Sequence, residues 1–157
     1  MQWRKSIRRT RQGDFEVRLS DEERELLRSV PSQMREALAS GPTDPALARL
    51  FPTAYPEDAE LDAEYRRLMG DELAAGRLEA LATLEASIDA RRLDHDQALA
   101  WTRAINDVRL LLGTRLDVTE DQASQQLRPD DPKAPALAMY HYLSFLEEQL
   151  VEALDFS

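Results

Sequence analysis

The stretch AWTRAINDVRLLLGTRL, Ala100 to Leu116, decides how this chain folds. It is strongly apolar, yet Asn106, Asp107 and Arg109 stand in its middle. Placed on a helical wheel with Ile105 at zero, Ala98, Trp101, Val108 and Leu112 fall within about 60° and form a core stripe. Arg109 falls at about 40°, inside that stripe, and Asn106 at about 100°, on its edge. Asp107 falls on the far side. The spacing therefore predicts a central, largely buried helix over 94–113 that carries a guanidinium into the core. A buried guanidinium must be paired, because removing its water shell costs several kcal/mol. Asp58, Asp62 and Glu64 in the 47–65 connector are the expected partners. The competing reading is an enzyme in which Arg109 lines an anion pocket.

Outward from that helix, the start and stop signals predict further helices. Ser20 and Glu23 form a capping box ahead of Leu26, Leu27, Val30, Met34 and Leu38. Pro31 should kink or split this helix, and GPTDP at 41–45 should end it. Helix resumes near Glu57 and is expected to run to Arg92, with a weak point at Gly70, where glycine costs about 1 kcal/mol relative to alanine. Asp94 and Gln97 read as the next capping box. Residues 117–135 are polar and proline-containing and read as a loop with one short helix. The segment ALAMYHYLSFLEEQLVEAL supplies the last helix, with Met139, Tyr142, Leu143, Leu146, Leu150, Ala153 and Leu154 on one face.

The first nineteen residues differ. Trp3 and Ile7 alternate onto one face, as do Phe15, Val17 and Leu19, and RQGD between them offers Gly13 for positive φ. This predicts a short β-hairpin. The expected fold is mainly α: a single-domain helical bundle of about five or six helices over 1–157, with residues 1–19 a basic hairpin arm and 20–157 an acidic helical body.

Charge supports that division. Residues 1–18 hold six basic side chains (Arg4, Lys5, Arg8, Arg9, Arg11, Arg18) against Asp14 and Glu16, a net of +4. The remaining 14 basic and 28 acidic residues give −14, for a total of −10. The acidic body disfavours DNA as the partner. The basic hairpin is the feature that invites one, through Trp3, Arg4, Arg8, Arg9 and Arg11, with Ile7 and Phe15 expected to contribute beside the arginines. The partner so implied is another protein. Direct DNA binding through the basic arm is the second reading.

Other chemistry is thin. The chain has no cysteine, which excludes disulfides, thiol catalysis and thiol redox switching within it. Its two histidines lack a second ligand motif, and no nucleophile elbow, P-loop or dinucleotide fingerprint occurs. No catalytic residue, metal or cofactor is expected. No run approaches the roughly 20 apolar residues of a membrane span, and the basic start lacks the apolar stretch of a signal peptide, so no membrane contact and a cytoplasmic location are expected.

Three segments carry a resemblance: RLFPTAYPED (49–58), WTRAINDVRLLLGTRL (101–116) and YHYLSFLEEQLVEAL at the end. They resemble an actinobacterial domain-of-unknown-function family that includes AosR-type oxidative-stress transcriptional regulators. The likeness runs over nearly the whole chain. It implies a non-enzymatic cytoplasmic regulator or adaptor linked to transcription or stress. It marks Arg49, Pro52, Tyr55, Trp101, Asn106, Asp107, Arg109 and Gly113 as signature positions without assigning them chemistry. A thiol switch, which such a label suggests, is not available to this sequence.

Overall fold

A computed structural model describes residues 4–39, 57–116 and 130–155, and the side chains of all of these except 66–74. Strands β1 (Ile7–Arg9) and β2 (Phe15–Val17) form the hairpin. Helix α1 (Asp21–Ala39) follows, then α2 (Ala59–Ala86), strand β3 (Arg92–Leu93), α3 (His95–Arg115) and α4 (Ala134–Asp155). The molecule is mainly α, as expected, with four helices among the described residues and a small antiparallel sheet of order β1-β2-β3.

The hairpin register pairs Ile7 with Val17 and Arg9 with Phe15. Gly13 makes the turn at φ +93°, where a side chain would be strained. Its N–H donates to Thr10 O at 3.1 Å, and Thr10 N donates to Asp14 O at 2.8 Å. The alternation puts Ile7, Phe15 and Val17 on the inner face, each essentially inaccessible to solvent. They belong to the same buried cluster as the helices, so the hairpin is seated in the core. Ile7 and Phe15 are therefore core residues and not exposed anchors for a partner.

β3 was not foreseen in the sequence. The helix expected to run to Arg92 stops at Ala86, where Ser87 N donates to the carbonyls of Thr83 and Leu84. Two residues then pair with β2, Phe15 opposite Leu93 and Glu16 opposite Arg92. A strand this short carries no periodicity to read, and the sheet edge supplied by β2 forms it. Neither Pro31 nor the weak point at Gly70 splits its helix. α1 runs through Pro31, which is buried within it, and α2 runs through Gly70. In α1 the burial of Leu27, Val30, Pro31 and Met34 outweighs the local penalty of the proline.

The helix starts fall where the caps put them. Glu23 N donates to Ser20 Oγ at 3.1 Å and Ser20 N to Glu23 Oε2 at 2.7 Å. Asp94 and Gln97 make the same reciprocal pair, at 2.7 and 2.9 Å. α3 does not end at Gly113. It continues to Arg115, with Leu116 N bonded to Leu112 O at 2.9 Å, and Gly113 is buried inside it.

α3 is the centre of the fold. It packs on α2 along one side and α4 along another, and also touches α1. Trp101, Ala104, Ile105, Val108 and Leu111 are all fully buried and sweep an arc of about 120° of the helix, wider than a single narrow stripe. Trp101 also fastens α3 to the end of α2. Its Nε1 donates to Ser87 Oγ at 2.8 Å, and that hydroxyl donates to Thr83 O at 2.6 Å. Arg24 reaches from α1 to the carbonyls of Ile88 and Ala90, and Arg28 and Arg35 pair with Asp89 and Glu85. α4 closes the far side of α3 and lies against β1.

Candidate functional site

Two regions hold buried polar groups. The first is the N-D-x-R cluster of α3. Arg109 is one quarter exposed, and its Nε lies 2.7 Å from Glu147 Oε2 of α4, an ion pair whose angle is off the hydrogen-bond axis. Its Nη2 donates to Asn106 Oδ1 at 3.0 Å and its Nη1 reaches Tyr140 Oη at 3.5 Å. The guanidinium carbon also stands 5.9 Å from the centre of the Tyr140 ring, within cation–π range. Arg109 is thus a fastening between α3 and α4. The carboxylate that pairs with it is Glu147, and not Asp58, Asp62 or Glu64. Asp58 instead caps α2, accepting from Leu61 N at 3.1 Å.

Asp107 corrects the wheel. It was placed on the far side of the helix, yet it is 5% exposed and faces α2, with its Oδ2 3.5 Å from Arg77 Nε. A single-stripe wheel assumes one partner face, and α3 has at least two. Burial pushes the Asp107 carboxyl above its ordinary range, the charges of Arg77 and Arg103 pull against that, and the charge of Glu147 adds to it. Burial likewise raises Glu147, opposed by Arg109. Asn106, Asp107 and Arg109 therefore bind three helices together, and the groups that meet the Arg109 guanidinium come from this chain.

The second region is the outer edge of the sheet. Arg4, Lys5, Arg8 and Arg11 are exposed, while Arg9, in phase with Ile7, turns inward and is half-buried. β1 is an edge strand, and an edge strand exposes backbone groups that invite pairing. Part of that edge is closed by Gln149 of α4. Its Oε1 accepts from Ser6 N at 2.7 Å and Ile7 N at 3.2 Å, joining the first and last described elements. Its Nε2 is buried without a hydrogen-bond partner among the described residues, and so is Arg9 Nη1. A groove of about 230 Å³ lies between β1 and α4, lined by Lys5, Arg8, Arg9, Gln149 and Glu152 over Ile7 and Ala153. The structure thus brings Arg8 and Arg9 together at one groove, with Arg4 and Arg11 exposed on either side of the strand. Trp3, Arg49, Pro52 and Tyr55 lie outside the described residues.

Sequence reasoning missed Gln149. The signal was present: it stands three residues beyond Leu146 and seven beyond Tyr142, inside the apolar stripe of α4. A polar side chain in that position must find a partner in the core.

The histidines stay apart. His95 is exposed near the ring of Phe15, with centroids 6.5 Å apart, and His141 sits edge-on to Tyr140. Among the described residues no group of three or more His, Cys, Asp or Glu side chains is placed to hold a metal ion. No helix there is long and apolar enough to cross a membrane.

Fold and site together define a mainly helical domain with a small sheet whose edge strand is cationic. Residues 4–154 match the model of a domain of unknown function (DUF2017), and the chain belongs to that family. It is 32% identical over 133 residues to a putative oxidative stress regulator AosR of Mycobacterium leprae, covering 74% of this chain and 61% of that protein. It is 31% identical over 134 residues to the oxidative stress regulators AosR of Mycobacterium bovis and Mycobacterium tuberculosis, with the same coverage. The chain thus spans about three fifths of the length of these relatives. They are named as regulators rather than as enzymes. No solved structure matches the chain.

Proposed function

We propose that this chain is a non-enzymatic cytoplasmic regulator or adaptor, linked to the stress response, that acts by binding another protein through the basic edge strand. The observation that carries the reading is the placement of charge. Four exposed cations, Arg4, Lys5, Arg8 and Arg11, surround β1 on a chain whose total is −10. A cationic patch on an acidic body selects a partner with an acidic patch and speeds encounter with it. The same body opposes the phosphate backbone of DNA. The names of the relatives support a regulatory role, and the internal pairing of Arg109 takes weight from an anion-binding enzyme. These 157 residues hold no thiol, so any signal they transmit is not sensed by a cysteine of their own.

The test is a photo-crosslinker placed at Arg8 and, as a control, at exposed Leu99 in α3. A protein partner captured from position 8 and not from position 99, with its identity read by mass spectrometry, is the expected result. Tight, sequence-selective binding to duplex DNA at physiological salt, with a steep salt slope, would replace the protein with DNA as the ligand.

A further inference from the structure

We propose that the groove between β1 and α4 is a carboxylate pocket, which takes an aspartate or glutamate side chain of the partner protein. This deepens the protein-binding reading and rests on it for the source of the carboxylate. Gln149 is 6% exposed, and its amide is used on one side only. The oxygen holds the edge of β1, while the two hydrogens of Nε2 have no acceptor among the described residues. In the same groove Arg9 Nη1 is buried and equally without an acceptor. A buried donor left unpaired is costly, and two of them on residues that line one groove call for an acceptor from outside.

The chemistry of the acceptor follows from the donors. A guanidinium N–H and an amide N–H on the lining of one groove are suited to the two oxygens of a carboxylate. Lys5 and Arg8 add positive charge at the rim, so the acceptor should be an anion rather than a neutral carbonyl. Glu152 also lines the groove and opposes a dianion more than a monoanion, which favours a carboxylate over phosphate. Ala153, at the edge of the groove, gives a small apolar surface for the methylene of an acidic side chain.

Gln149→Glu tests this with little change of shape. Either carboxylate oxygen can still accept from Ser6 and Ile7, so β1 stays anchored, but an anion replaces the Nε2 donor. Titration of the intact protein with a short blocked poly-glutamate peptide, followed by NMR of the Gln149 side-chain amide, should shift that signal. The matching poly-glutamine peptide should not, and inorganic phosphate should bind more weakly than poly-glutamate. Gln149→Glu should weaken poly-glutamate binding about tenfold or more, equivalent to about 1.4 kcal/mol, while the backbone spectrum stays folded. An unshifted Gln149 amide, equal binding of poly-glutamine, tighter binding of phosphate, or an undiminished affinity in Gln149→Glu would each overturn the pocket. If the partner crosslinked at position 8 binds Gln149→Glu as tightly as the parent, the pocket fails and the surface reading survives. If no protein crosslinks while poly-glutamate still shifts Gln149, the surface reading fails and the anion site stands.

Discussion

Arg109 in α3 and Arg9 in β1 are both partly buried cations, and the fold treats them in opposite ways. Around Arg109 the chain supplies a carboxylate from Glu147, an amide oxygen from Asn106 and the ring and hydroxyl of Tyr140. At Arg9 a guanidinium nitrogen is sealed from water with no acceptor among the described residues, and the Gln149 amide nitrogen, on the lining of the same groove, is in the same condition. Polar groups that a chain pairs with itself hold the fold together. A buried polar group left without a partner is where an acceptor from outside would stabilise most. The more conspicuous cluster in the sequence is thus the structural one, and the sparser edge strand is the candidate site.

The largest effect should come from the centre of the helical layer. Trp101→Ala removes a fully buried indole and its bond to Ser87, and should cost about 3–5 kcal/mol in a urea melt. Binding at the β1 edge should survive in whatever fraction stays folded. A loss below about 1 kcal/mol would mean that α3 is not the centre of the core.

Arg109→Ala should cost less, about 2 kcal/mol, because the pair is only partly buried and Glu147 can take up a proton when its cation is gone. A melt unchanged by the substitution would detach Arg109 from the fold and return it to the candidate ligand groups.

The same network sets a pH dependence. Asp107 and Glu147 both have carboxyls raised by burial above their ordinary values of 3.8 and 4.5. A raised carboxyl favours the protonated folded state. Its stabilising contribution is therefore complete below the ordinary value and is lost as the pH rises through the folded one. Stability measured for the parent minus that for Asp107→Asn should accordingly fall as pH rises from acid to neutral. A difference that grows with pH would show that the Arg77 pair outweighs burial.

The smallest effect should be at Gly76 in α2. A Cβ built there would stand 3.2 Å from the Arg103 guanidinium, which is the movable end of an exposed side chain. Arg103 can swing away, so Gly76→Ala should gain about 0.5–1 kcal/mol from helix propensity. A loss of stability would mean that Arg103 is held more tightly than its exposure suggests.

Much of the fold was legible in the sequence, for reasons that particular residues make clear. Strict alternation from Phe15 to Leu19 and a glycine free to take positive φ marked the hairpin. Ser20 with Glu23 and Asp94 with Gln97 fixed two helix starts to the residue. What was not legible depended on neighbours distant in sequence. Arg92–Leu93 is a strand only because β2 is beside it. Glu147 and Arg109 meet across 38 positions, and no local pattern joins them. Asp107 was misplaced because a wheel cannot show that α2 covers the side opposite α4. The donors of Arg9 and Gln149 that find no acceptor among the described residues are less legible still: the stripe of α4 shows that Gln149 is buried, but nothing local shows which of its atoms is paired.

The comparison between the two arginine regions is tested most directly by one paired measurement of partner binding and stability. Arg4→Glu/Arg8→Glu/Arg11→Glu, all exposed positions on the sheet side, is set against Arg109→Ala, with the partner crosslinked at position 8 as the binding probe. The triple charge reversal should abolish partner binding and leave the urea midpoint nearly unchanged, while Arg109→Ala should lower the midpoint and leave the affinity of the folded protein intact. Retained binding in the triple variant, with binding lost in a well-folded Arg109→Ala protein, would contradict the account and place the working site in α3.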